Sequence, residues 1–233
     1  MNAPLLSHSD VYAAVSQKIR FSKNILACLK RLGRPVFTTR EAALLAGKSS
    51  SAATQALSHL SQQGLVVKAC HGVWADAHDP RMSAYSLIPF VVPVHRAYLS
   101  FVSALHVHGI IEQIPQVITV ASTSHTREVS TKFGHFSIHQ ISPGFFTGFE
   151  WYKGEDSFLI AAPEKALVDS LYLSVRKGRR FGHFPELHFP SSFSFTKARQ
   201  CIRKITDERV RASVSRKMDA MALSACPRRR ESR

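Results

Sequence analysis

The chain has 233 residues, 45% of them hydrophobic, with 31 Lys/Arg against 16 Asp/Glu for a formal net charge of +15. That apolar content builds one large or two modest cores and excludes a disordered chain, while the positive excess favours a polyanionic partner. A membrane span is not expected: the longest apolar run, residues 87–94, is short and contains Pro89 and Pro93, and Ser7, His8, Ser9 and Asp10 stand where a signal peptide needs apolar residues.

Residues 1–16 read as a loose leader. A helix over 19–32 follows, with Ile25, Leu26, Leu29 and Leu32 as its buried stripe and Gly33 as its stop. Thr38 and Thr39 precede a short apolar-periodic run, Ala42, Ala43, Leu45 and Ala46, which Gly47 ends. A second helix starts at residues 49–51, with Ala53, Ala56, Leu57 and Leu60 on one face and Gly64 at its close. Residues 65–67 and 73–74, separated by a polar stretch, predict a small hairpin. Two helices, a tight turn and a hairpin predict a winged helix-turn-helix. The outer face of the second helix carries Ser51, Thr54, Gln55, Ser58 and His59, short polar groups suited to base edges and phosphates.

The organisation expected is a DNA-binding domain over 1–76, a linker over 77–84, an α+β domain over 85–225 and a disordered basic tail over 226–233. Within the second domain, residues 85–94 read as extended and 96–108 as one helix. Strands are expected at 116–121, 133–141, 149–152 and 158–161. Residue 133 onwards alternates as a half-buried strand does, Phe136 and Ile138 against His135, Ser137 and His139. Pro163 and Glu164 open a helix, PEKALVDSLYLSV, as suits its positive end. Two basic helices finish the chain, the first capped by Thr196 and the second by Thr206 or Asp207.

Charge is unevenly placed. Residues 1–80 hold nine Lys/Arg and four Asp/Glu, net +5; residues 81–175 hold six and seven, net −1; residues 176–233 hold sixteen and five, net +11. Cys28, Cys70, Cys201 and Cys226 have no CxxC spacing, which points to a reducing compartment rather than a zinc site or a disulfide framework. Of twelve histidines, His106/His108 and His135/His139 are the closest pairs, without an accompanying carboxylate; no metal or cofactor is expected.

The winged unit ending in His71-Gly72-Val73-Trp74 resembles the N-terminal domain of the AbiEi family of antitoxins. YLSFVSALHVHGI and APEKALVDSLYL resemble that family's C-terminal domain, so that the resemblance runs over about residues 20–220. It implies a cytoplasmic transcriptional repressor and antitoxin of a type IV toxin–antitoxin system. Such a protein binds double-stranded DNA at inverted repeats ahead of its own operon, as two copies. It counteracts a separately encoded nucleotidyltransferase-like toxin without needing a stable complex with it. The chain itself has neither a Gly-Ser pair nor an Asp-x-Asp, which a nucleotidyltransferase needs.

On this reading the DNA-binding residues are Arg40, Lys48, Ser49, Ser50, Ser51, Thr54, Gln55, Ser58, His59, Lys68 and His71. A second basic surface comprises Arg199, Arg203, Lys204, Arg209, Arg211, Arg216 and Lys217, and no catalytic residue is expected. Two alternatives are open. One is a ligand-sensing regulator whose α+β domain holds a small effector. The other is a nuclease using Glu155, Asp156, Glu164, Lys165 and Asp169, although Glu164 and Asp169 lie about 140° apart round a helix.

Overall fold

The computed structural model describes residues 25–154, 158–176 and 185–225. The expected leader, the first half of the 19–32 helix and the basic tail lie outside them. The chain mixes α and β elements and divides into two compact units, Met1–Met82 and Ser83–Arg233.

The first unit runs α1 (Ile25–Lys30), β1 (Val36–Thr38), α2 (Thr39–Ala46), α3 (Ser50–Gln62), β2 (Val66–Cys70) and β3 (Val73–Asp76). The three strands form an antiparallel sheet in the order β1-β3-β2. Ile25, Leu29, Phe37, Ala42, Ala53, Leu57 and Trp74 make one core, with Leu32, Ala56 and Leu60 packed at its margin. Thr38 starts α2 with a full capping box: its hydroxyl accepts from the Glu41 N–H at 3.2 Å, and the Glu41 carboxylate accepts from the Thr38 N–H at 2.8 Å. Gly47 ends the helix at φ 60°, a left-handed conformation that suits glycine. Arg81 forks onto Asp79 and donates to the Gly33 carbonyl at 2.7 Å, so the stretch expected as linker folds back on this unit.

In the second unit a 3-10 turn (Ala84–Leu87) and the short α4 (Ile88–Val91) replace the extended piece expected over 85–94. Proline at the start of α4 occupies a position where its missing N–H is not needed. Strands β4 (Ala97–Leu99), β5 (Val117–Ser122), β6 (Arg127–Thr131), β7 (Gly134–Gln140), β8 (Phe149–Trp151) and β9 (Leu159–Ala161) form one mixed sheet, ordered β6-β7-β5-β4-β9-β8. The single helix expected over 96–108 is instead β4 followed by α5 (Phe101–Val107). The chain turns there through Phe101, at φ 55° and fully buried. β7 is not the half-buried strand its alternation suggested: Phe136, Ser137, Ile138 and His139 are all buried.

Helix α6 (Pro163–Arg176) is buried from Glu164 to Ser174. Lys165 and Asp169, one turn apart, form an ion pair with 1% and 0% side-chain exposure. Asp169 also accepts from the Ser100 hydroxyl at 2.7 Å and the Tyr98 hydroxyl at 3.0 Å. The Lys165 ammonium lies 3.3 Å from the Phe145 ring centroid, a cation–π contact. A Cβ on Gly148 would stand 3.2 Å from Lys165 Cγ, so glycine there makes room for the lysine stem. Burial raises the Asp169 pKa and lowers that of Lys165, and each is opposed by the charge of the other. Glu164 is buried too and accepts from the Ser194 N–H at 3.1 Å.

Two helices close the described chain, α7 (Phe195–Arg203) and α8 (Glu208–Ala225). The cap of α7 is Ser194, two residues before the expected Thr196: its hydroxyl accepts from the Lys197 N–H. Asp207 caps α8 by accepting from the Val210 N–H at 3.1 Å. Among the described residues no helix is long and apolar enough to cross a membrane.

Two predictions follow from these contacts. Lys165→Met leaves the Asp169 carboxylate buried without its counter-charge and should cost about 3–5 kcal/mol in equilibrium denaturation; a loss below ~1 kcal/mol would mean that the pair is dispensable. The second concerns Glu41. Burial alone would raise its pKa, but hydrogen bonds from Thr38 and the Arg34 guanidinium hold it below the usual carboxylate range. A depressed carboxylate contributes stability above its unfolded pKa and loses it as pH falls through the folded one. Glu41→Gln should therefore be less stable than the parent at neutral pH, and thermal melts should show the gap narrowing as acid is added. A gap constant with pH would dissociate the cap from this carboxylate.

Candidate nucleic-acid interface

Helix α3 turns Ala53 and Leu57 into the core, and its N-terminus is fixed by Ser49, whose hydroxyl accepts from the Ala52 N–H at 3.2 Å. That orientation leaves Ser50, Ser51, Thr54, Gln55, Ser58 and His59 exposed along the opposite face. Thr54 donates to the Ser50 carbonyl at 2.8 Å, and His59 is hydrogen-bonded to Gln63 at 3.3 Å. Ser51, Gln55 and Ser58 have no such contact among the described residues and present their polar ends outward.

Beside the first turn of α3 lies a cleft of about 310 Å³. Arg40 reaches it from α2, Ser50 and Thr54 from α3, Lys68 from β2, and His71 from the turn between β2 and β3. Lys48, Ser49, Ser51, Gln55, Ser58 and His59 do not line it; Lys48 is exposed in the α2–α3 turn. The cleft thus draws two cations and an imidazole from three separate segments to one helix N-terminus. Backbone N–H groups and the helix dipole favour an anion at such an end, and the basic side chains add to that preference.

Three residues that hold the cleft together were not singled out as site residues: Thr39, Gly72 and Trp74. The buried Trp74 indole donates to the Thr39 hydroxyl at 2.9 Å, while the Thr39 N–H donates to the Gly72 carbonyl at 2.9 Å. Gly72 takes φ 70° at the hairpin turn. Lys68 lies 5.7 Å over the Trp74 ring. These contacts tie the start of α2 to the hairpin, and with them Arg40 to Lys68 and His71. The T-x-x-E spacing of Thr38 and Glu41 marks the start of α2 in the sequence, but nothing local in the sequence links Thr39 to Trp74. Cys70, on β2, has its thiol pKa pushed up by burial.

The second basic group is less open than its charge suggests. Arg199 is ion-paired with Asp219 at 2.9 Å, Arg211 donates to the Ile205 carbonyl and the Glu208 carboxylate, and Lys217 donates to the Ser174 hydroxyl at 2.8 Å. Lys204 and Arg216 make longer contacts of 3.3 Å with Thr147 and Ser213, and Arg203 and Arg209 are exposed. Of the nuclease residues, Glu164, Lys165 and Asp169 are engaged inside the fold, and Glu155 and Asp156 lie outside the described residues. The histidine pairs are likewise bound to the fold, His106 to the Ile111 carbonyl, His108 to that of Ala161, His135 to Ser130 and His139 to Ser137.

Compared with known proteins, the chain matches no curated protein. Its N-terminal part matches a family model described as "Transcriptional regulator, AbiEi antitoxin", over residues 25–75. That segment spans α1 to the middle of β3 and contains every residue lining the cleft. The match stops short of the second unit, so the resemblance of YLSFVSALHVHGI and APEKALVDSLYL to the family's C-terminal domain lies outside it. Residues 25–75 are thus similar to the AbiEi antitoxin family, and the match points to a transcriptional regulator of the antitoxin type.

Proposed function

We propose that the chain is a DNA-binding autorepressor and the antitoxin of a type IV toxin–antitoxin pair, acting without catalysis and opposing a separately encoded nucleotidyltransferase-like toxin. The first unit is a winged helix-turn-helix: α3 enters the major groove and the β2–β3 hairpin is the wing. The observation that carries this reading is the cleft at the start of α3, where Arg40, Lys68 and His71 converge on a helix N-terminus. A DNA phosphate seated there fixes the depth and register of α3, and the exposed Ser51, Gln55, Ser58 and His59 then meet base edges. Two copies on an inverted repeat supply two such helices. Arg203, Lys204, Arg209 and Arg216 give the second unit a basic surface for flanking phosphates.

The test is an anisotropy titration of a labelled fragment from immediately upstream of the protein's own gene, beside a scrambled control, at two salt concentrations. A specific repressor prefers the native fragment by about 10³-fold or more. Equal, steeply salt-sensitive binding to both would reduce the interaction to charge alone. Within this experiment Gln55→Ala should weaken the native fragment by about 1–3 kcal/mol and leave the control nearly unchanged. Arg40→Ala and Lys68→Ala should instead weaken both DNAs alike and lower the salt slope by about one each. If Gln55→Ala weakens both alike, α3 is not the reading element. Replacing Arg203 and Lys204 together tests the second surface, which an unchanged salt slope would remove.

A further inference from the structure

The second unit holds a half-open cavity of about 580 Å³ beside the β6-β7-β5 end of its sheet, a volume in the range of small-molecule sites. Its floor is one face of the sheet. Strand register sets Val117 and Thr119 of β5 beside His135 and Ser137 of β7, with His139 following on the same face. β6 adds Ser130 opposite His135 and Glu128 opposite Ser137. Facing it are the apolar Val102 from α5 and Ile111 and Pro115 from the segment that follows, with the amides of Gln113 and Gln116 from that same segment.

The charge of this lining is unlike that of the chain. In a protein of net charge +15, no lysine or arginine lines the cavity among the described residues, and Glu128 is the one carboxylate among them that does. Glu128 is exposed and makes no ion pair among the described residues. The other polar groups on this face are hydroxyls and imidazoles, Ser137 and His139 buried and Ser130 and His135 at the exposed edge. Ser137 and His139 are 9% and 4% exposed and are hydrogen-bonded to each other at 3.2 Å, as are Ser130 and His135 at 3.0 Å. A carboxylate accepts hydrogen bonds and repels anions; hydroxyls and imidazoles both accept and donate. An apolar wall facing a sheet suits a flat body.

We propose that this cavity is a small-molecule site for a planar ring compound carrying N–H donors, neutral or cationic, and that it rejects anions. The ring lies against Val102, Ile111 and Pro115, and its N–H edge meets Glu128 and the Ser/His pairs. The proposal is independent of DNA binding by the first unit.

Three near-isosteric probes test it on the full chain: benzamidine, benzamide and benzoate, which are cationic, neutral and anionic. Ligand-observed NMR and calorimetric titration at about pH 8, where free imidazole is uncharged, would read their affinities. Benzamidine and benzamide should bind and benzoate should not. Glu128→Gln, on an exposed edge-strand position, should weaken benzamidine several-fold and leave benzamide unchanged. Val102→Trp should block both by filling the cavity. Absence of binding by all three at ~10 mM, where even millimolar sites saturate, would overturn the proposal. Benzoate binding as well as benzamidine, or an affinity order untouched by Glu128→Gln, would do the same.

Discussion

Asp169 cannot be ionised inside this fold unless several other groups are in place. It is fully buried, and its carboxylate is met by the Lys165 ammonium, the Tyr98 hydroxyl and the Ser100 hydroxyl. Tyr98 and Ser100 are two residues apart in an extended segment and so point to one side; Lys165 and Asp169 are four apart on a helix and share a face. The two periodicities meet only when α6 crosses the sheet at one position. Sliding α6 by a single residue would rotate Asp169 by about 100° and leave both charges buried without partners. Burying an ion pair gives little net stability compared with an apolar pair of the same shape, but separating one is expensive. The pair therefore acts as a register lock. Gly148, Phe145 and the Glu164–Ser194 hydrogen bond extend the lock to the loop before β8 and to the start of α7.

That constraint explains what was legible in the sequence and what was not. Helices α2 and α3 declare themselves because each buries one face and exposes the other, and because Thr38, Gly47 and Ser49 punctuate them locally. β4 was read as helix because Ala97, Tyr98 and Leu99 are all buried, which leaves no alternation to count. Its strand state is decided by β5 and β9 on either side, contacts that lie far along the chain. The reversal at Phe101 is likewise a tertiary effect, since a bulky residue rarely chooses positive φ for itself. β6 went unseen for the opposite reason: as an exposed edge strand it carries Arg127, Glu128 and Ser130, the composition of a loop. In PEKALVD the lysine and aspartate at i, i+4 suggest catalytic charges, whereas the helix is buried from Glu164 to Ser174 and closes both inside the fold.

The nucleic-acid candidate divides along the same line. The exposed polar face of α3 is a local property and can be counted from periodicity. The cleft is not: Arg40 and Lys68 are 28 residues apart in sequence, and they converge because Trp74 closes the core and its indole N–H needs an acceptor, which Thr39 supplies. A tryptophan at that position thus does two things, burying a large ring and fixing the hairpin against the helix that carries Arg40. The spacing of the exposed basic residues is thus set by residues that carry no charge, the buried Trp74 and its partner Thr39.

Charge placement also separates two kinds of recognition within one chain. A cleft lined by arginine, lysine and histidine at a helix N-terminus attracts an anion whatever its identity, and specificity must come from the neutral side chains beside it. The cavity proposed as a small-molecule site differs in kind: among the described residues it sets one carboxylate, Glu128, beside a floor of hydroxyls and imidazoles, groups that recognise N–H donors by hydrogen bonding. In residues 1–80 the nine Lys/Arg outnumber the acids by five, whereas residues 81–175 balance to −1. The near-neutral middle of the sequence is therefore more than filler between two basic ends. It carries most of the cavity lining, and the burial of Lys165 removes one of the few remaining cations from its surface.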